Sequence, residues 1–271
     1  MKFGLREVCN VVLKAKEDNA VILGKTRFKG EPVLWFDSLK TSGLEGTAET
    51  VYARGGRGNT KLIAWDGDKE VTFTMEDALL SPESIAVLVG ANEVKTQITS
   101  KHLIEVHNIG DDGVLTLTYN PDTNKPVFFC NPKDVSEKVH DEIIDSSAIK
   151  KTYTFEDLAN TTVLVDYYAK IGASAGDYKA KATTQIEISP QAFGNGFYLE
   201  GETLFRESSR DYAAEFIIPS CRVQSTFNFT MASTGDPSTF TFTMDAFPDF
   251  IVGGNKKVLA AIQISEEEYI G

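Results

Sequence analysis

Val223-Gln224-Ser225-Thr226-Phe227-Asn228-Phe229-Thr230-Met231 puts Val223, Ser225, Phe227, Phe229 and Met231 on one side of an extended chain. Eight residues on, Thr239-Phe240-Thr241-Phe242-Thr243-Met244 repeats the pattern, with Phe240, Phe242 and Met244 on one side. The connector Ala232-Ser233-Thr234-Gly235-Asp236-Pro237-Ser238 is dense in turn formers. Strict alternation around such a connector predicts a β-hairpin, and its aromatic side suits a sheet packed on a second layer.

The same period of two recurs outward from this pair, at Val114-Leu115-Thr116-Leu117-Thr118-Tyr119 and Thr184-Gln185-Ile186-Glu187-Ile188. Turn-rich connectors predict two more hairpins: Val11-Val12-Leu13 with Val21-Ile22-Leu23, and 114–119 with Pro126-Val127-Phe128-Phe129. Val71-Thr72-Phe73-Thr74-Met75-Glu76-Asp77-Ala78 echoes Thr239 through Ala246, a short echo that fits either a duplication or two strands of one sheet that end in similar ways. Helix is scarce. Ser81-Pro82-Glu83 reads as an N-cap, a first-position proline and a first-turn acid, followed by the apolar stripe Ile85, Leu88, Val89 and a closing Gly90. A second helix is predicted over 133–144, where Val135, Val139 and Ile143 recur every fourth residue. The chain is thus read as mainly β.

The 271 residues are enough for one large β domain or two modest ones with a buried core. Lys and Arg number 27 against 39 Asp and Glu, a net charge of -12, which argues against general nucleic-acid binding by phosphate neutralisation. An acidic protein can still surround DNA without gripping it. Cys9, Cys130 and Cys221 are odd in number, far apart and outside any CxxC pair, so they read as buried thiols in a reducing compartment. The charges of Met1–Glu7 fall where a signal peptide needs an apolar core, and no apolar run reaches membrane-span length. Synthesis in a cytoplasm, with no membrane anchor, is expected.

No catalytic, cofactor-binding or metal-binding constellation emerges. His102 and His107 are five apart on a predicted strand and so on opposite faces, and His140 is remote in sequence. There is no GxSxG. Gly55-Gly56-Arg57-Gly58-Asn59-Thr60-Lys61 lacks the glycine spacing and the Gly-Lys-Ser/Thr end of a phosphate loop. Asp66-Gly67-Asp68 and Asp111-Asp112 read as hairpin turns, and Asp122 with Asn124 lacks the glycine and terminal glutamate of a calcium loop. Glu266-Glu267-Glu268 reads as a solvated tail or as part of the lining of an acidic channel. The Phe227, Phe229, Phe240, Phe242, Phe247 stripe has Ser, Thr and Asn neighbours and reads as core.

Residues 40–60 differ in character. Thr41 through Thr50 is small, polar and poor in core formers, and Val51-Tyr52-Ala53-Arg54-Gly55-Gly56-Arg57-Gly58-Asn59 follows. This predicts a long loop or a projecting hairpin, and such segments in compact domains usually serve a function. The candidate contact residues to other subunits are Leu44, Glu45, Glu49, Tyr52, Arg54 and Arg57.

Arg54 through Asp66, followed by Val71 through Pro82, resembles virion structural proteins of tailed phages. Phe216-Ile217-Ile218-Pro219-Ser220-Cys221-Arg222-Val223 and Gly235 through Phe242 resemble the last hairpin of a tail tube protein. The resemblance covers roughly residues 1–95 and 195–250. It implies a β-sandwich or barrel with a flanking helix, here 82–89, in hexameric rings stacked into a tube that conducts DNA. The 40–60 segment would then bridge rings. It implies no catalytic residues and no cofactor. Its implied partners are further copies of the chain, and sheath, baseplate and tail terminator proteins. Its implied location is the virion tail. Because simple tail tube proteins are shorter, the expected organisation is a tube-like domain from 1–95 plus 191–271 and an inserted β-rich domain at 96–190.

Two other readings stay open on the residues alone. One is another virion component, such as a baseplate ring, head–tail adaptor or capsid decoration protein. The other is a carbohydrate-binding β-sandwich using Trp35, Phe36, Trp65 and Tyr52 as an aromatic platform.

Overall fold

The computed structural model describes residues 3–268 except 6, 92–93, 96–97, 181–183, 192, 208–209, 225 and 228–238. It is mainly β, with a single helix among the described residues. The longer elements in chain order are β1 (Asn10–Ala15), β2 (Pro32–Phe36), β3 (Leu39–Gly55), β4 (Thr60–Asp77), α1 (Pro82–Leu88), β5 (Ser100–Asn108), β6 (Val127–Asn131), β7 (Asp134–Ile143), β8 (Thr162–Lys170), β9 (Gly196–Glu207), β10 (Arg210–Val223), β11 (Phe240–Ala246) and β12 (Ala261–Glu268). The chain divides into two compact units, Met1–Val94 with Ile186–Gly271, and Lys95–Gln185.

In the first unit one sheet runs β2-β1-β9-β10-β11-β4-β3, with β12 also on β10 and the short strand Gly4–Leu5 on β9. β10 holds β9 along one edge. Its other edge is shared: Tyr212–Ile217 pairs with β12, and Cys221–Val223 pairs with β11. Alternation supplies the core. Val11, Leu13 and Ala15 of β1 point inward with Phe197 and Leu199 of β9, Phe73 and Met75 of β4, and Phe242 and Met244 of β11. Phe36, at one end of the sheet path, meets Phe242 edge-to-face at 5.2 Å, so the sheet bends round a single core. Val87 and Leu88 of α1 join that core. The helix starts at a capping box in which the Ser81 hydroxyl accepts from Ser84 N–H at 3.0 Å and Ser84 returns a bond to Ser81 N–H.

The echoing segments are neighbours. Phe73-Thr74-Met75 runs antiparallel to Phe242-Thr243-Met244, with Phe73 opposite Met244 and Met75 opposite Phe242. Each phenyl ring therefore faces a thioether across the pair, and all four side chains are fully buried. Cys9, Cys130 and Cys221 are buried free thiols, and burial pushes Cys221 up to about 12.

The second unit carries a four-stranded sheet, β7-β6-β8-β5, and a two-stranded one joining Val114–Thr116 to Thr152–Thr154. Val163, Val165, Tyr167 and Ala169 of β8 point into its own core with Leu115, Val127 and Phe129. Beside that core the Glu105 carboxylate accepts from the Tyr167 hydroxyl at 2.6 Å and Thr118 N–H at 3.1 Å, and lies 2.8 Å from His107 Nε2. Burial alone would raise Glu105, but these hydrogen bonds outweigh it and hold the carboxyl below its ordinary value.

Several local expectations are corrected. Residues 133–144 are not helical: β7 is a bulged edge strand on β6. β1 does not pair with 21–23. It lies between β2 and β9, while Ala20–Ile22 pairs with Lys25–Arg27. Residues 114–116 pair with 152–154, and β6 pairs with β7 and β8. Asp66-Gly67-Asp68 lies inside β4 and is no turn. In the 223–244 hairpin, Cys221–Val223 does pair with Met244–Ala246, whereas residue 225 and 228–238, including Phe229, lie outside the described residues.

Candidate assembly interface

β3 and β4 pair from Leu39↔Asp77 to Gly55↔Thr60. The inner end belongs to the core: Phe73, Met75 and Asp77 are buried, and Leu44 is half-buried against the same cluster. Beyond Glu45 and Val71 the two strands leave the sheet as a free ribbon, with every residue from 56 to 70 exposed. At about 3.3 Å per residue, the arm from Gly46 to Gly55 reaches roughly 30 Å.

The sequence builds this ribbon from its tip. Gly56, Gly58 and Asn59 take positive φ (75, 93 and 50 degrees), which closes the turn at Gly56-Arg57-Gly58-Asn59. Strand formers Val51, Tyr52, Ile63 and Trp65 flank it. A bulge sets Glu49 against Gly67 and Asp68, and a Cβ at Gly67 would sit 3.0 Å from the Glu49 carbonyl oxygen. A second irregularity follows Ala53 and leaves Leu62 unmatched.

The arm has two unlike faces. On one, Val51 lies opposite Trp65 and Ala53 opposite Ile63. Val51, Ile63 and Trp65 are 55%, 54% and 53% exposed, an apolar strip that none of the described residues covers. On the other, Tyr52 lies opposite Ala64 and Arg54 opposite Lys61, whose Nζ stands 3.7 Å over the Tyr52 ring. An isolated two-stranded ribbon is at best marginal in water, so an arm of this length calls for a surface to lie on.

Of the residues singled out from the sequence, the structure brings Glu49, Tyr52, Arg54 and Arg57 together on this arm, and Leu44 and Glu45 at its root. The root also borders a cleft of about 420 Å³ lined by Ser42, Leu44, Phe73, Phe205, Phe216 and Ile262. The second strand was missed as a contact element. The short continuous apolar run Leu62-Ile63-Ala64-Trp65 was the available signal. Phe36 is buried in the core, so it does not form an aromatic platform with the exposed Trp35. Among the described residues no group of three His, Cys, Asp or Glu is placed to hold a metal. Among the described residues no helix is long and apolar enough to cross a membrane.

A bent β core and a long projecting ribbon are the frame of a structural protein. A family model described as the YomU/Tube protein family matches residues 3–259, and the chain belongs to that family. It is a phage tail tube protein, a component of the virion tail. No curated protein matches the chain.

Proposed function

We propose that copies of this protein form hexameric rings that stack into a tube, the conduit for DNA during genome delivery. The β3–β4 arm bridges neighbouring copies through Leu44, Glu45, Glu49, Tyr52, Arg54 and Arg57. The observation carrying this reading is the apolar strip of Val51, Ile63 and Trp65 left in water on a free ribbon. Contiguous exposed apolar surface on such an element marks an interaction site. A heterologous contact between an arm and a neighbour repeats without limit along an axis, as a tube requires. The net charge of -12 suits passage of DNA without adhesion. Sheath, baseplate and terminator proteins are the expected partners of the ends and outer wall. The second unit is an inserted domain on the tube exterior that ring formation does not need.

The test is negative-stain electron microscopy over a concentration series, with wild type beside a variant in which Gly46 and Val71 are joined by Asn-Gly. Both strands must go, since removing one leaves the other unpaired. Tubes from wild type and folded, tube-free variant support the reading. Ordinary tubes from the armless variant refute it. Single wild-type rings that never stack would point to a baseplate ring or adaptor.

A further inference from the structure

The arm tip is cationic. Between Thr50 and Trp65 the chain carries Arg54, Arg57 and Lys61 and no acid, in a protein whose net charge is -12. Arg54 and Lys61 face each other directly across the ribbon. Like charges so placed, with Cβ atoms about 5 Å apart, destabilise the pair that carries them.

The body of the first unit holds the opposite arrangement. On the outer face of its sheet, Trp35, Val12, Glu200 and Ile217 form one cross-strand row, and Asn10, Glu202, Glu215 and Gln263 form the next. Glu202 thus stands directly opposite Glu215, with Glu200 beside them. These rows line a shallow groove of about 520 Å³ whose walls include Trp35, Val12, Ala213 and Ile264. Glu200 is paired with Lys14, while neither Glu202 nor Glu215 has an ion pair among the described residues. Burial, then the charge of Glu200, raise the Glu215 carboxyl; Lys14 opposes them, and Glu202 adds a smaller push upward.

Two like-charged cross-strand pairs of opposite sign, each unfavourable alone, are complementary together. The geometry points to docking of the arm tip of one copy, through Tyr52, Arg54 and Lys61, onto the Glu200–Glu202–Glu215 sheet face of a second copy. Tyr52 lies beside the cations as Trp35 and Val12 lie beside the acids, so aromatic and aliphatic surface is covered while the charges pair. The arm's other face, with Val51, Ile63 and Trp65, stays available to the rest of the assembly. This rests on the reading that the arm joins copies, and adds which surface receives it.

Charge exchange tests it on the full chain. The variants are R54E/K61E, E202K/E215K, all four together, and the neutral E202Q/E215Q. Each two-site reversal is expected to raise the critical concentration for tubes roughly tenfold or more. The four-site exchange is expected to bring it back towards wild type. E202Q/E215Q separates docking from folding: with the repulsion gone the monomer melts at the same or higher temperature, yet assembles less well. Unchanged assembly by both reversals, while the armless variant forms no tubes, would overturn the groove as receiving surface and leave the arm reading standing. Loss of tubes by both reversals without rescue in the exchange, all variants melting like wild type, would equally overturn the pairing. Tubes from the armless protein would remove the parent reading itself.

Discussion

Phe242→Ala removes a ring that is fully buried, touches Phe36 edge-to-face at 5.2 Å and sits opposite Met75 on β4. Phe→Ala in a core costs about 3–5 kcal/mol, lost transfer energy plus the cavity left behind. Phe242→Leu keeps apolar contact and loses mainly the ring geometry, so its cost should be about 1–1.5 kcal/mol. With a urea m-value near 2 kcal/mol/M, the alanine variant shifts the midpoint of the first unit by roughly 2 M and the leucine variant by well under 1 M. The two cores share no residue. Hydrogen exchange at stepped urea concentrations, followed by mass spectrometry, reads both units at once. Peptides spanning 73–75 and 197–199 should lose protection early, while those spanning 163–169 keep the wild-type profile. Alanine and leucine shifts of equal size would refute the cavity argument. An equal shift in 163–169 would refute the independence of the cores.

Ile63→Ser with Trp65→Ser should leave the monomer within about 0.5 kcal/mol of wild type, because both side chains are half in water, but should reduce tube yield in pelleting assays. Ser81→Ala removes the hydroxyl that accepts from Ser84 N–H and should cost about 1 kcal/mol in thermal or urea unfolding. Cys221 is buried with its thiol raised to about 12, so a thiol reagent at pH 8 should label it only at the rate of unfolding. Glu105 has a folded-state value below 4.5, so its contribution to the second unit is fully present above pH 4.5. It is lost as pH falls through the lowered folded value, and Glu105→Gln should flatten that acid limb in unfolding curves measured from pH 6 to 3.

What the sequence made legible were features whose signal is local. Ser81-Pro82-Glu83 determines its own cap, and the Phe-Thr-Met echo marks two strands whose alternate residues fill one core. The polar 40–60 stretch lacks core formers because most of it lies on no core. The failures have equally physical causes. Val135, Val139 and Ile143 recur every four residues, and four is close to one helical turn but also two full strand periods. The spacing alone does not separate the two; β7 is an edge strand, half-buried at Val139 and Ile143 and exposed at Val135. The proposed pairing of 11–13 with 21–23 followed chain proximity. The actual partners of β1 are β2 and β9, the latter nearly two hundred residues away and chosen by a shared core that no turn residue encodes.

The candidate interface shows the same division. Charges and aromatics of β3 could be read as a loop's equipment, but their pairing across the ribbon depends on register, and register depends on the bulge at Gly67. A one-residue slip would move Trp65 and Ile63 to the other face of the arm and separate Arg54 from Lys61. Gly67→Val is therefore the informative lesion. Its side chain would meet the Glu49 carbonyl at 3.0 Å, so the bulge must shift or be lost. The arm is outside the core, so the expected cost to global stability is small, below about 1 kcal/mol. Assembly should nonetheless fall, because the apolar and cationic faces would no longer be correctly sorted. If Gly67→Val forms tubes at the wild-type critical concentration, face sorting on the arm has no part in assembly, and the arm acts through its mere length.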